Sequence, residues 1–365
     1  MRRLVLFLLL PLLAACATPQ VQTAHPNASA APSITGDRLI ARDGAQLPLE
    51  RWLPGSAKAV IVALHGFNDY ARAFALPASY WARHGVATYA YDQRGFGRTP
   101  PRGVWAGEQL LSSDLADAVV AVRAAHPGVP VYVLGESMGG AVALHALAMG
   151  ALCNGNLEGE RNLPSRQPAA SGGAPLRSEA KQGANAQESR QPAASGGTPC
   201  EHSRGAGATL QTIDGLILVS PAVWGGDAMN PFFRGSLWLL AHMIPAEKFT
   251  GSNLKIQATD NLLLLHEMAR DPNIIKGTRV DAVYGIVGLM GHAYGDAAKI
   301  GTPPILLLTG GRDEVIPAGP LNDIRFMLGK TSKLTSAHYP EGYHMLLRDL
   351  AGRDAWEDIL EWMRP

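Results

Sequence analysis

The sequence predicts an α/β protein, with a mostly parallel sheet covered by helices on both faces. Two observations carry that prediction. Short runs that are apolar at every position recur along the chain, as strands buried on both sides require. Helical patterns separate these runs, which is the alternation of a parallel sheet. The chain has 365 residues, 47% hydrophobic and 17% charged, enough for one large domain with a sizeable core.

The pattern settles from about residue 36. KAVIVALHG at 58–66 reads as a buried strand, and HGVATYAYDQRGFG at 84–97 holds another. SDLADAVVAVRAAH at 113–126 is helical. PVYVLGES at 130–137 is the next strand, and AVALHALAMG behind it has helical spacing. DGLILVSPA at 214–222 and PPILLLTGG at 303–311 are two more apolar strands. KLTSAHYP at 333–340 is a weaker last strand, and AWEDILEWM at 355–363 a closing helix.

Three segments stand outside this alternation. The first, residues 1–16, reads MRRLVLFLLLPLLAAC. Its apolar run is too short for a bilayer, which needs about 20 residues, and fits a secretory signal. Leu13-Ala14-Ala15-Cys16 resembles the lipobox of bacterial lipoproteins. That resemblance implies lipidation at Cys16 and anchorage in the cell envelope, with an outer-membrane lean because Ala17, not Asp, follows. Residues 17–35 are rich in Ala, Pro, Thr and Ser and read as a flexible tether. The domain proper is 36–365.

The second segment, 152–208, carries SRQPAASGG at 165–173 and again at 189–197. Two copies do not make a solenoid, and the composition cannot repay chain entropy, so it reads as a disordered insertion. An oxidising compartment would permit Cys153 and Cys200 to pair. The third, 224–300, has no convincing strand and reads as a helical excursion above the sheet. Phe232, Phe233, Leu237, Trp238, Leu239 and Leu240 leave its first helix no polar face. That helix reads as buried under its own cap, or as a lid that lines an apolar channel or touches a membrane, and the two readings can both hold.

The chemistry starts at Gly135-Glu136-Ser137-Met138-Gly139. G-x-S-x-G between a strand and a helix is the context in which a strained turn lifts a serine hydroxyl above a sheet. That hydroxyl needs a base, and the base an orienting group. His344, in the loop PEGYHML, is preferred over His338, which falls inside a strand. Asp313, in GRDEVIP after a core strand, is the first candidate acid and Glu314 the fallback. The tetrahedral oxyanion requires fixed N–H donors. The backbone of Met138 is one candidate, and that of Phe67, in HGFNDY, the other. His65 ends a strand and reads as structural. No cofactor is expected: nucleotide-binding glycine motifs and metal-ligand spacings are not recognisable. A formal net charge of +1 gives no footprint for nucleic acid.

In order, HGFNDYARAF, YDQRGFGRT, LGESMGGAVAL, LVSPA, GGRDEVIP and EGYHMLLRD resemble the monoacylglycerol lipase and lysophospholipase branch of the α/β-hydrolases. The resemblance covers roughly 45–150 and 210–365. It implies an α/β-hydrolase fold: an eight-stranded, mostly parallel sheet with a helical cap inserted after the sixth strand. It also implies Ser137, Asp313 and His344 as the catalytic set, with Phe67 and Met138 as oxyanion donors. The 152–208 insertion is not part of that pattern. The leading expectation is a membrane-tethered serine hydrolase of single-acyl esters, monoacylglycerol or lysophospholipid. The alternatives are acyl transfer or thioester and small-ester hydrolysis on the same residues, and, from another class, a binding lipoprotein without catalysis.

Overall fold

The computed structural model describes residues 17–25, 31–154, 212–251 and 256–364. Cys16, Cys200 and most of the 152–208 insertion lie outside the described residues, and so does any Cys153–Cys200 pairing.

The core is a single sheet of nine strands. In chain order these are β1 (Ser33–Thr35), β2 (Arg38–Ile40), β3 (Gln46–Trp52), β4 (Ala59–Leu64), β5 (Val86–Tyr91), β6 (Val131–Glu136), β7 (Gly215–Val219), β8 (Ile305–Gly310) and β9 (Leu334–Tyr339). Their spatial order is β1-β2-β3-β5-β4-β6-β7-β8-β9. The last six positions, from β5 to β9, run parallel. β1, β2 and β3 are antiparallel to their neighbours.

The expected strand count was eight, and the sheet has one more. β1 and β2 form a hairpin around Gly36-Asp37, with Gly36 at φ 58°. A two-residue turn with a glycine of positive φ matches the twist of paired strands. The Ala-, Pro- and Thr-rich composition around it concealed the signal.

Each central strand serves two layers. Along β4, Val60, Val62 and Leu64 pack on one face, and Ala59, Ile61 and Ala63 on the other. This explains why the strand is apolar throughout. On the first face lie α2 (Glu108–Ala125), α3 (Met138–Ala148) and α7 (Ala318–Thr331); on the second lie α1 (Ala75–Arg83) and α8 (Gly352–Met363).

Between β7 and β8 the chain leaves the sheet and builds α4 (Pro231–Met243), α5 (Leu262–Arg270) and α6 (Val280–Asp296). In chain order this excursion follows the seventh strand, because the hairpin adds one. A short ribbon also pairs Lys248–Phe249 with Thr278–Arg279, where no strand was expected. α4 starts at Pro231, and the Asn230 side chain accepts from the Phe232 amide at 2.9 Å. Ala241 is its one buried residue, while Phe232 is 75% and Trp238 50% exposed. The expectation that α4 is buried is therefore corrected: its apolar side chains face outward.

Residues 17–25 also depart from the flexible tether that their composition suggested. Val21 bridges to Trp105, and the Gln22 amide donates to the Trp105 carbonyl at 2.9 Å. The Gln20 amide donates to Asp281 and the His25 amide to Asp43. Backbone donors in a composition-poor segment have found fixed acceptors on the body.

Candidate active site

Parallel strands bring their C-terminal ends to one edge, and the loops that leave that edge meet. β6 ends at Glu136, and Ser137 follows as the N-cap of α3, with φ 53° and ψ −116°. This is a strained conformation for a non-glycine residue, and it persists only when surroundings hold it. They do: the Ser137 amide donates to the Val219 carbonyl at 3.0 Å, and its carbonyl accepts from the Ala222 amide at 2.9 Å. The glycines on either side leave no room for alternatives. A Cβ on Gly139 would stand 2.2 Å from the Leu64 carbonyl oxygen, and one on Gly135 2.5 Å from the Gly139 backbone.

The loop after β8 supplies Asp313, and the loop after β9 supplies His344. His344 Nδ1–H donates to Asp313 Oδ2 at 2.9 Å. On the other side of the ring, Ser137 Oγ–H donates to His344 Nε2, also at 2.9 Å. The tautomer follows from the carboxylate, which only accepts. Asp313 is itself fixed, since its Oδ1 accepts from the Val315 and Ile316 amides. The side chains of His344 and Asp313 are 8% and 2% exposed, so this pair is screened from water. Glu314 faces elsewhere and accepts from the Gln257 amide at 2.8 Å. His338 pairs with Thr309 on β8, away from Ser137.

The loop after β4 passes beside the serine. A Cβ on Gly66 would lie 3.4 Å from Ser137 Cβ. Among the described residues, neither the Phe67 nor the Met138 amide has a protein acceptor. His65 is buried and holds this loop: its Nε2 accepts from the Gln93 amide, and Nδ1–H donates to the Gly66 carbonyl at 2.8 Å. Burial pushes the His65 imidazole below its ordinary value, which keeps it neutral.

One group was missed in the sequence. Arg348 Nη1 donates to Asp69 at 2.7 Å, and Nη2 donates to Glu136 at 3.1 Å. All three are buried. The guanidinium thus ties the loop after β4, the serine turn and the histidine loop together. Burial pushes the Glu136 carboxyl above its ordinary value, against the pull of Arg348. Asp69, Glu136 and Arg348 were visible in HGFND, GES and LLRD, but their pairing depends on three distant loops meeting.

These features define the class: an α/β-hydrolase whose serine, histidine and aspartate form one hydrogen-bonded chain at the sheet edge. The profile of the Hydrolase_4 family, described as Serine aminopeptidase, S33, matches residues 55–155 and 203–351, more than half of the chain. The chain belongs to that family.

Over 112 residues it is 34% identical to the Monoglyceride lipase of Rattus norvegicus, covering 30% of this chain and 37% of the rat protein. The matched part is thus well under two thirds of that relative's length. Over 342 residues it is 21% identical to the Monoacylglycerol lipase of Mycolicibacterium smegmatis, covering 88% of this chain and 93% of that one. A soluble variant of monoglyceride lipase from Saccharomyces cerevisiae, solved with a substrate analogue, has a TM-score of 0.62 at 15% identity, covering 94% of this chain and 98% of that one. That likeness speaks for the fold alone.

Proposed function

We propose that the protein is a serine hydrolase of carboxylic esters, with Ser137 as nucleophile, His344 as general base and acid, and Asp313 as the orienting group. The observation that carries this reading is the unbroken chain from Ser137 Oγ through His344 to Asp313, with bonds of 2.9 Å on both sides of the imidazole. His344 Nε2 takes the hydroxyl proton as Oγ bonds to the ester carbonyl carbon. The oxyanion is met by the amides of Phe67 and Met138, which among the described residues are not spent on protein acceptors. His344 returns the proton to the leaving alcohol. Water then enters, gives its proton to His344 and releases the acid. Asp313 keeps the tautomer and stabilises the imidazolium between these steps.

The substrate class we propose is a single-chain acyl ester, a monoacylglycerol or a lysophospholipid. Two things support it. Several curated relatives, those of rat and Mycolicibacterium smegmatis among them, are named as lipases of monoglycerides. The cap helices α4 and α5 hold Phe232, Phe233, Trp238 and Leu263 in solvent, with Leu263 79% exposed. Large apolar side chains exposed on the cap suit a lipid interface better than water. We further propose that Cys16 carries a lipid anchor in a bacterial envelope, facing the periplasm. Incorporation of labelled palmitate into the full chain and not into Cys16→Ala tests it.

A panel of p-nitrophenyl esters of graded length, followed by monoacylglycerol and lysophospholipid, tests the substrate. Rates should rise from acetate to long chains. A strong preference for acetate contradicts the lipid reading. Acyl products formed with competing alcohols would move the assignment to acyl transfer on the same residues.

A further inference from the structure

Away from the serine, three residues from three helices converge. Glu108 begins α2, His145 lies in the last turn of α3, and His292 lies on the cap helix α6. One ligand atom from each lies within 4.8 Å of the other two. The imidazoles stack, with centroids 5.5 Å apart and planes at 19°. Glu108 Oε2 is 2.6 Å from His292 Nδ1 and 3.8 Å from His145 Nε2.

The tautomer of His145 makes this arrangement informative. Its Nδ1 lies 2.7 Å from Asp296 Oδ2. The carboxylate accepts, so Nδ1 carries the hydrogen; in the neutral ring Nε2 then holds a lone pair. That lone pair faces a carboxylate oxygen too far away for a hydrogen bond. Glu108 Oε2, which also accepts from His292 Nδ1–H, and Nε2 of neutral His145 therefore face one position that suits a positive charge. Asp296 holds His145 as an outer carboxylate orients a metal-bound imidazole, exposing the other nitrogen. Lys299 Nζ donates to the second oxygen of Asp296 at 2.8 Å and balances its charge. Two imidazoles and one carboxylate are the donor set of zinc and its neighbours, with one position left for water.

We propose that Glu108, His145 and His292 bind a divalent transition cation of the zinc type, oriented by Asp296. The bond set would fasten the cap helix α6 to α3, the helix that begins after Ser137. Glu108 and His292 both line a cavity of ≈690 Å³, and His292 is 60% exposed, so an ion can enter without unfolding. No ligand spacing announced this site in the sequence, because its members lie on separate elements.

The test is Zn²⁺ titration of the full, untagged chain after chelator treatment, read by competition with a chromophoric chelator. One equivalent should bind saturably, and the melting temperature should rise with Zn²⁺. His292→Ala and Glu108→Gln should each lose that equivalent or weaken it at least about tenfold, and Asp296→Asn should weaken it about 10–100-fold. His266→Ala, an exposed histidine outside the cluster, should keep it. Co²⁺ should give visible ligand-field bands in the parent and not in His292→Ala. Circular dichroism checks that each variant is folded, and Glu108→Gln, the most conservative, decides if another is not. Absence of saturable binding, or an affinity in His292→Ala and Glu108→Gln equal to that of the parent, overturns the proposal.

Discussion

Ser137 is where the account is most exposed to test. Its backbone sits at φ 53° only because Val219 and Ala222 hold it and two glycines clear the way. Ser137→Ala should lower ester turnover by a factor on the order of 10⁶, with the fold unchanged. Steady-state rates on one pure preparation check this. Arg348 gives a second prediction. Arg348→Met leaves Asp69 and Glu136 buried without their counter-charge, and should cost about 3–5 kcal/mol in a urea melt. An unchanged midpoint would contradict the role of Arg348 as their counter-charge. The triad residues were legible because each stands next to a recognisable strand end. Arg348 was not, because a charged residue after a histidine loop says nothing of the two acids it will meet.

Among the elements, the N-terminal segment, the β2–β3 turn and α2 meet at one buried ion cluster. Arg94 lies between Asp43, at 2.8 Å, and Asp114, at 2.7 Å. Burial pushes the Asp43 carboxyl up, but Arg94 and the amides of His25 and Ala45 outweigh it, and the group falls from 3.8 to about 2. A carboxyl lowered in the folded state contributes stability above its unfolded value and loses it on acidification. That contribution should be complete above pH 3.8 and disappear as pH falls through about 2. Thermal melts of parent and Asp43→Asn between pH 5 and pH 2 should therefore converge on the acid side. A constant gap would refute the assignment.

The cap makes a prediction of its own. Replacing Phe232, Phe233 and Trp238 by Ser should reduce hydrolysis of monoacylglycerol in vesicles. Hydrolysis of soluble p-nitrophenyl acetate should stay as it was. Equal losses on both would mean that α4 shapes the active site rather than an interface. Five of the six parallel strands were legible from apolar runs, because burial on both faces leaves few polar positions; the edge strand β9, LTSAHY, is partly exposed and carries a weaker pattern. β1 and β2 were not, because three-residue strands carry too little pattern to outweigh their composition. The exposure of α4 was equally hidden: a helix without a polar face looks the same whether its partner is its own core or something outside it.

For the whole molecule, the sheet carries the serine, histidine and aspartate loops to one edge, and the cap packs α6 on the core while α4 and α5 hold apolar side chains in solvent. A lipid anchor at Cys16 would keep the chain near the surface where single-chain lipids reside. The class of fold followed from the order of elements. The proposed ester rests on the names of curated relatives and on the exposed side chains of α4 and α5. The central claim is that Ser137 is a nucleophile activated by His344. Its most direct test is labelling of the folded full chain with a fluorophosphonate probe, followed by mass spectrometry of the modified peptide. The account predicts one adduct, on Ser137, formed rapidly by the parent and lost in His344→Ala. No adduct on folded protein, or an adduct on another residue, would contradict it.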